Sequence, residues 1–247
     1  MIQPRSASAL RVQGDWPDPV VLRQGWFRAL ARPWNEETSA AALRLERGSG
    51  RFLRSCADWL VERQMDEVFS PALFPRFDRV WHEAGFVRIS RLRLFESDLK
   101  TTTNTPDLHV NEIIPDWAQL AVIDRAAFPP RWYLGRLGLA ESYAATPRAG
   151  VLAVNELGVP VGFSIVGLAT GLAYLQRLAV HPEHQGGGIG RSLVRASVAW
   201  AAARGARSML LNTQTDNDPA AGLYAAEGFV EVLEGLEVMG YRPERES

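Results

Sequence analysis

The sequence predicts a mixed α/β fold, a sheet with helices on both faces, and three observations carry that expectation. Strands and helices alternate through the second half of the chain. A glycine-rich turn at residues 185–190 joins a strand to a helix, and a similar strand, turn and helix pattern recurs near residues 45–60. At 247 residues and 47% hydrophobic content the chain has enough apolar material for one large or two small domains.

Residues 1–100 read as a first unit. Strands are expected within 20–34, a helix over 36–45 opened near Asn35, and another helix over 52–63. Residues 101–107 lack apolar periodicity and carry Thr, Asn and Pro, which marks a linker. A second unit then spans 108–247. Residues 108–114 alternate as a strand, Pro115-Asp116 opens a helix, and Phe128-Pro129-Pro130 interrupts it before another helix over about 132–145. Strands at 151–155 and 161–168 flank the turn Glu156-Leu157-Gly158. A strand ends at His181-Pro182, and the glycine turn leads into a helix over 191–204, where Leu193, Val194, Val198 and Ala201 fall at helical spacing. A strand near Leu211, a helix holding Tyr224, and strands near 229–233 and 237–241 complete the chain.

Composition excludes several classes. A net charge of -1 argues against a general nucleic-acid binder, whose footprint is a basic excess. No apolar run approaches the length of a bilayer span, and the first residues lack the layout of a signal peptide, so a cytoplasmic location is expected. The single cysteine, Cys56, rules out an internal disulfide and reads as a small buried hydrophobe.

The glycine turn places Gln185, Gly186, Gly187, Gly188, Ile189, Gly190 and Arg191 at the start of a helix. Amides there lack intrahelical acceptors and the helix dipole is positive, so the turn suits an anion such as a phosphate. It is not a Walker loop, because Arg191-Ser192 stands where Lys and Ser or Thr are needed. It is not a dinucleotide fingerprint either, because Arg191 and Leu193 occupy the third glycine position in the two possible registers.

The pattern of Gln185, Gly188 and Gly190 after Leu178-Ala179-Val180 resembles the acetyl-CoA loop of the GNAT N-acetyltransferases. A second block, Asn212 through Asn217 followed by Leu223-Tyr224 and Gly228-Phe229, resembles the same family's strand 5 to helix 4 segment. The resemblance covers residues 108–241 and is closest to the ribosomal-protein alanine acetyltransferase type. It implies acetyl-CoA as cosubstrate and an amine acceptor, either a peptide N-terminus or a small molecule. It implies no metal; the charge balance and the lack of a long apolar run add no nucleic acid and no membrane as partners, and a homodimer is allowed. By resemblance Leu178, Ala179 and Val180 present backbone groups to the pantetheine arm, residues 185–191 hold the phosphates, Asn217 caps a helix and contacts the cofactor, and Tyr224 is the general acid.

One position departs from that type. Asn212 stands where a glutamate would serve as base, so a water held by Asn212 would relay the proton, with Glu141, Asp216 or a carboxylate of the first unit as sink. His181 and His184 read as turn residues at the mouth of the cofactor site, since no further ligands accompany them in the sequence. Phe128, Trp132 and Tyr133 fall where the family lines its acceptor groove.

The first unit reads as a shortened, degenerate copy of the second, giving a tandem arrangement. Gly48, Gly50 and Leu53 align with Gly188, Gly190 and Leu193; Trp59 then meets Trp200, Trp81 meets Tyr224, and Gly85-Phe86 meets Gly228-Phe229. Leu45, Glu46 and Arg47 replace Gln185, Gly186 and Gly187, so anion binding there is expected to be poor.

Overall fold

The computed structural model describes residues 9–100 and 104–243. It falls into two compact units, Met1–Arg91 with Leu236–Ser247, and Leu92–Gly235. Residues 104–107 of the expected linker fall within the second unit, residues 101–103 lie outside the described residues, and the last strand of the chain ends in the first.

In the first unit β1 (Arg11–Gln13), β2 (Val20–Gln24), β3 (Phe27–Pro33) and β4 (Ala40–Arg47) form an antiparallel meander. α1 (Gly50–Val61) then crosses to β5 (Glu67–Phe69), which pairs parallel to β4. α2 (Arg79–Glu83) and the start of β6 (Val87–Asp98) follow. Leu22, Leu43, Phe52, Leu53, Leu60, Trp81 and Phe86 make the core. Cys56 lies in it, and burial pushes its thiol up to about 12, so it stays neutral and unreactive as the sequence suggested.

The helix expected over 36–45 is instead a bend and β4. Asn35 Oδ1 accepts from the amides of Glu37 and Thr38 at 3.0 Å each, an Asx turn that satisfies the donors a helix cap would have taken. Ala40, Ala41 and Leu43 are buried while Glu46 and Arg47 are exposed, and pairing with β3 and β5 overrides the helical preference of the alanines.

The second unit holds the ordered ladder of β6, β11 (Ser208–Gln214), β10 (Leu172–Val180), β9 (Val159–Ala169), β8 (Arg148–Glu156) and β7 (Asn111–Glu112). All pairings in it are antiparallel except β10 with β11. β7 is shorter than the expected strand over 108–114, because Pro115 follows three residues after its end and Ile114 points into solvent. α3 (Trp117–Ala127) starts at Asp116, whose carboxylate accepts from Ala118 and Gln119 amides at 3.0 and 3.2 Å. Leu120 and Ile123 of α3 and Leu139 of α4 (Gly135–Ala144) pack on Val151, Ala153, Phe163 and Ile165. The alternate residues Leu152, Val154, Val166 and Leu168 pack with Leu193, Val194 and Val198 of α5 (Ile189–Ala203). This two-period alternation puts helices on both faces of the sheet, the mixed α/β architecture that the sequence implied. α6 (Asp218–Ala226) precedes β12 (Val230–Tyr241), a single strand where two were expected, with Gly235 at φ 59° inside it.

Positions that the sequence aligns between the two units share individual contacts. Arg63 lies over the Trp59 ring at 3.6 Å and Arg204 over the Trp200 ring at 4.2 Å, each four residues on and just past the end of its helix. The Phe86 amide donates to Trp81 O and the Phe229 amide to Tyr224 O, both at 3.0 Å, after Gly85 at φ 86° and Gly228 at φ 85°. Glycine is needed at both positions because the chain turns through left-handed space at the helix end.

Candidate active site

The ladder between β10 and β11 runs only from Leu172↔Ser208 to Leu175↔Leu211, although the strands continue to Val180 and Gln214. Beyond that point they part. β10 remains paired with β9 through Leu178↔Ser164, Ala179↔Phe163 and Val180↔Gly162, so its other edge carries backbone groups with no strand neighbour. A bulge between Leu175 and Arg177 accompanies the parting.

The opening leads into a cavity of about 650 Å³ lined by Leu178, Ala179, Val180, Gln185, Gly186, Gly188, Ile189, Gly190, Arg191, Asn212, Asn217 and Tyr224, among others. The structure thus brings together nearly every site residue that the sequence suggested, Gly187 lying beside them in the same turn. Gly186 and Gly188 both have φ 82°, and a Cβ at either would meet nothing within 4 Å. Glycine is there for backbone conformation, and the space above it is open.

No side chain caps α5, unlike α1, α3 and α6, which Ser49, Asp116 and Asn217 cap. The Ser192 amide is the first to close a helical bond, to Gly188 O at 3.0 Å, so the amides of Ile189, Gly190 and Arg191 precede the hydrogen-bond ladder at the cavity rim. Gln185 steadies the loop by donating from Nε2 to Val180 O at 3.1 Å. The Arg191 guanidinium turns to buried Glu227, its Nε 3.1 Å from Oε1. Asn217 accepts from the Ala220 amide at 3.2 Å, the cap the sequence suggested.

Tyr224 sits on α6 at 6% exposure, with ring centroids 5.8 Å from Phe95 and 6.3 Å from Phe229. Burial pushes its phenol up to about 12, against an opposing pull from the positive charge of Arg177. The group is held as an acid. Asn212 Nδ2 donates to the hydroxyl of Tyr174, whose pKa burial raises. The sequence reading did not include Tyr174, because an isolated tyrosine in an apolar strand carries no signal of its partner.

Arg177 is a second group that the sequence reading did not single out. Its side chain is 11% exposed, its Nε lies 2.6 Å from Oδ1 of wholly buried Asp124, and an Nη donates to Trp132 O at 2.9 Å. Its guanidinium stacks 3.5 Å over the Phe128 ring, while Asp124 Oδ2 accepts from the Leu134 amide at 2.6 Å. A lone arginine among strand hydrophobics was the available signal. Phe128 lines the cavity, whereas Tyr133 is buried in the unit.

The charged side chains of the cavity wall are Arg177, Arg191 and, when protonated, His184; among the described residues no carboxylate lines it. Glu141 and Asp216, considered as proton sinks, are not among its lining residues. The surface is therefore suited to an anionic ligand.

Comparisons with known proteins agree with this geometry. The model of the Acetyltransferase (GNAT) family matches residues 117–229. A streptothricin acetyltransferase of Escherichia coli is 37% identical over 71 residues, which is 29% of this chain and 40% of that protein. A mycothiol acetyltransferase of Streptomyces bingchenggensis is 42% identical over 52 residues, 21% of this chain and 17% of that one. The matched stretches thus span less than half of either relative. Among solved structures, an acetyltransferase of the GNAT family from Novosphingobium aromaticivorans superposes with a TM-score of 0.61 at 20% identity, covering 90% of each chain. A tandem GNAT protein from the clavulanic acid biosynthesis pathway gives 0.59 at 16% identity, covering 99% of this chain and 86% of that one. The parted strands, the uncapped glycine turn and the matched sequence converge on the acetyltransferase (GNAT) family, whose model matches residues 117–229.

Proposed function

We propose that the second unit transfers an acetyl group from acetyl-CoA to a primary amine, a protein N-terminus or a small-molecule amine, by direct attack. The observation that carries this reading is that the uncapped start of α5 and the Tyr224 phenol open on one cavity between parted strands. The amides of residues 186–191 would hold the coenzyme's diphosphate, and the free edge of Leu178, Ala179 and Val180 would pair with the pantetheine amides as an added strand would. Asn217 would take a cofactor contact beside its capping bond.

The amine nitrogen attacks the thioester carbonyl, and a backbone amide of β10 stabilises the oxyanion. The C–S bond then breaks, the sulfur takes the Tyr224 proton, and the ammonium proton leaves to a water held by Asn212. Among the described residues the cavity wall presents no carboxylate to bind or deprotonate a cation. An acceptor that is partly neutral at working pH, such as an α-amine with an ordinary pKa of about 8, therefore suits it better than a lysine-like amine near 10.4.

Tyr224→Phe tests the assignment. Coenzyme A affinity by calorimetry should stay within about twofold, while thiol release from acetyl-CoA with a good acceptor should fall ~10²–10⁴-fold. The amide Asn212 in place of a carboxylate also supports a second reading, an acyl-CoA-binding module with little turnover. Wild-type protein that binds coenzyme A yet releases no thiol across a broad panel of amines and peptides would favour it.

A further inference from the structure

We propose that the turn holding His181, Glu183 and His184 is a binding site for a divalent transition ion of the zinc class. The inference is independent of acyl transfer. Each of the three residues offers a ligand atom, and these atoms lie within 4.8 Å of one another. The sequence places Glu183 between the two histidines, and the turn over Pro182–His184 brings the three side chains together.

The turn is fixed before any ligand arrives. The His181 amide donates to Val161 O at 2.9 Å, tying the turn to β9, and the His184 and Gln185 amides donate to His181 O at 2.9 Å and Pro182 O at 3.2 Å. Pro182 sets φ at the start of this short 3₁₀ turn.

His181 Nδ1 is shut off from solvent and has no hydrogen-bond partner. Leaving such an atom unsatisfied is unfavourable, and structures normally provide a partner. Its neighbour is Glu183 Oε2 at 3.8 Å, too far for a hydrogen bond. Two donors on one tetrahedral zinc stand roughly 3.3–3.5 Å apart, given bonds of about 2.0–2.1 Å, so a small side-chain adjustment completes the pair.

His184 is oriented by a carboxylate. Its Nδ1 lies 3.0 Å from Glu156 Oε2, so Nδ1 holds the proton against that carboxylate and Nε2 keeps a lone pair. A carboxylate behind a ligating imidazole fixes the ring and raises its basicity. Two imidazoles and one carboxylate suit Zn²⁺, Co²⁺ or Ni²⁺ and are poorly matched to Mg²⁺ or Ca²⁺, which take oxygen ligands. Because His184 and Gln185 also line the cavity, an ion here would clasp the turn that leads into the glycine loop.

The test is titration of full-length, chelator-stripped protein with Co²⁺ by visible absorption and with Zn²⁺ by calorimetry. One equivalent should bind, with the intense d–d bands of tetrahedral cobalt, displaced by Zn²⁺. His181→Ala and His184→Ala should abolish the signal, Glu156→Gln should weaken binding ~10–100-fold, and His109→Ala should leave it unchanged. Zn²⁺ should raise the Tm of the wild type and not that of His181→Ala. An unchanged metal-free Tm shows that the variant still folds. The site is overturned by wild-type protein with no saturable uptake in the micromolar range, by cobalt bands of octahedral type, or by affinity that survives His181→Ala.

Discussion

Tyr224 shows how one side chain's surroundings set its chemistry. Its phenol is packed against Phe95 and Phe229, and burial raises it to about 12, above the ordinary value near 10. A raised pKa means that the folded state favours the protonated form. The resulting stability is therefore fully present below about pH 10 and is lost as pH rises towards 12. Comparing wild type with Tyr224→Phe in urea unfolding should isolate that dependence: the wild-type midpoint should fall more steeply between pH 10 and 12, while below pH 9 the difference should be constant. The same sign bears on turnover. The acid is not lost below pH 10, so a basic limb in kcat at lower pH must belong to another group. A limb near pH 10 or below that moves with substitutions around Tyr224 would contradict the assignment.

At the scale of elements, β10 is where sheet and site meet. Its bulge sends Arg177 towards α3, where Asp124 and the carbonyl of Trp132 receive it. Asp124 is wholly buried, so Asp124→Ala strands the arginine's charge and should cost about 3–5 kcal/mol in chemical denaturation. Arg177→Met strands the carboxylate, though the Leu134 amide still donates to it. The double variant Asp124→Asn/Arg177→Met should cost clearly less than the sum of the single Asp124→Ala and Arg177→Met costs, since no unpaired charge remains. Additive losses would mean that the pair is not a unit. Such couplings were not legible in the sequence, because residues 53 apart in the chain announce no contact. What was legible was local: the strand ending at His181-Pro182, the glycine turn, the helix start at Pro115-Asp116, the Asn217 cap, and the alternation that covers both sheet faces. Those features follow from short-range backbone chemistry. β4 was missed for the opposite reason, since an alanine run after Asn35 satisfies helical rules and only pairing with β3 and β5 makes it a strand. In the site, the glycines and Tyr224 could be found from spacing, whereas Tyr174 and Arg177 gain meaning only from Asn212 and Asp124.

For the whole molecule, the two halves share a plan of strand, helix, parallel strand and helix, yet they differ in what stands at the start of the first helix. In the second unit α5 begins at Gly188 without a side-chain cap and opens on the cavity. In the first, Ser49 caps α1 by accepting from the Phe52 amide at 3.4 Å, so one of the donors that an anion would need is taken. A Cβ on Gly48 would come within 2.5 Å of the Phe52 ring and 2.9 Å of Leu45 Cδ1, so hydrophobic side chains fill the ground that is open above Gly188. Glu46 is paired with Arg28, which leaves a carboxylate where a phosphate would have to approach. Trp81, in the place of Tyr224, offers an indole N–H without useful acidity. Each change acts in the same direction, and together they are expected to weaken anion binding at the start of α1. Calorimetry of the full chain should therefore give one coenzyme A per chain with a single affinity. Replacing Ser49 with Ala should not create a second event, because Leu45 and Phe52 still occupy the space. Two equivalents in the wild type would show that the first unit retains a site of its own, and the reading of it as a closed copy would have to be abandoned.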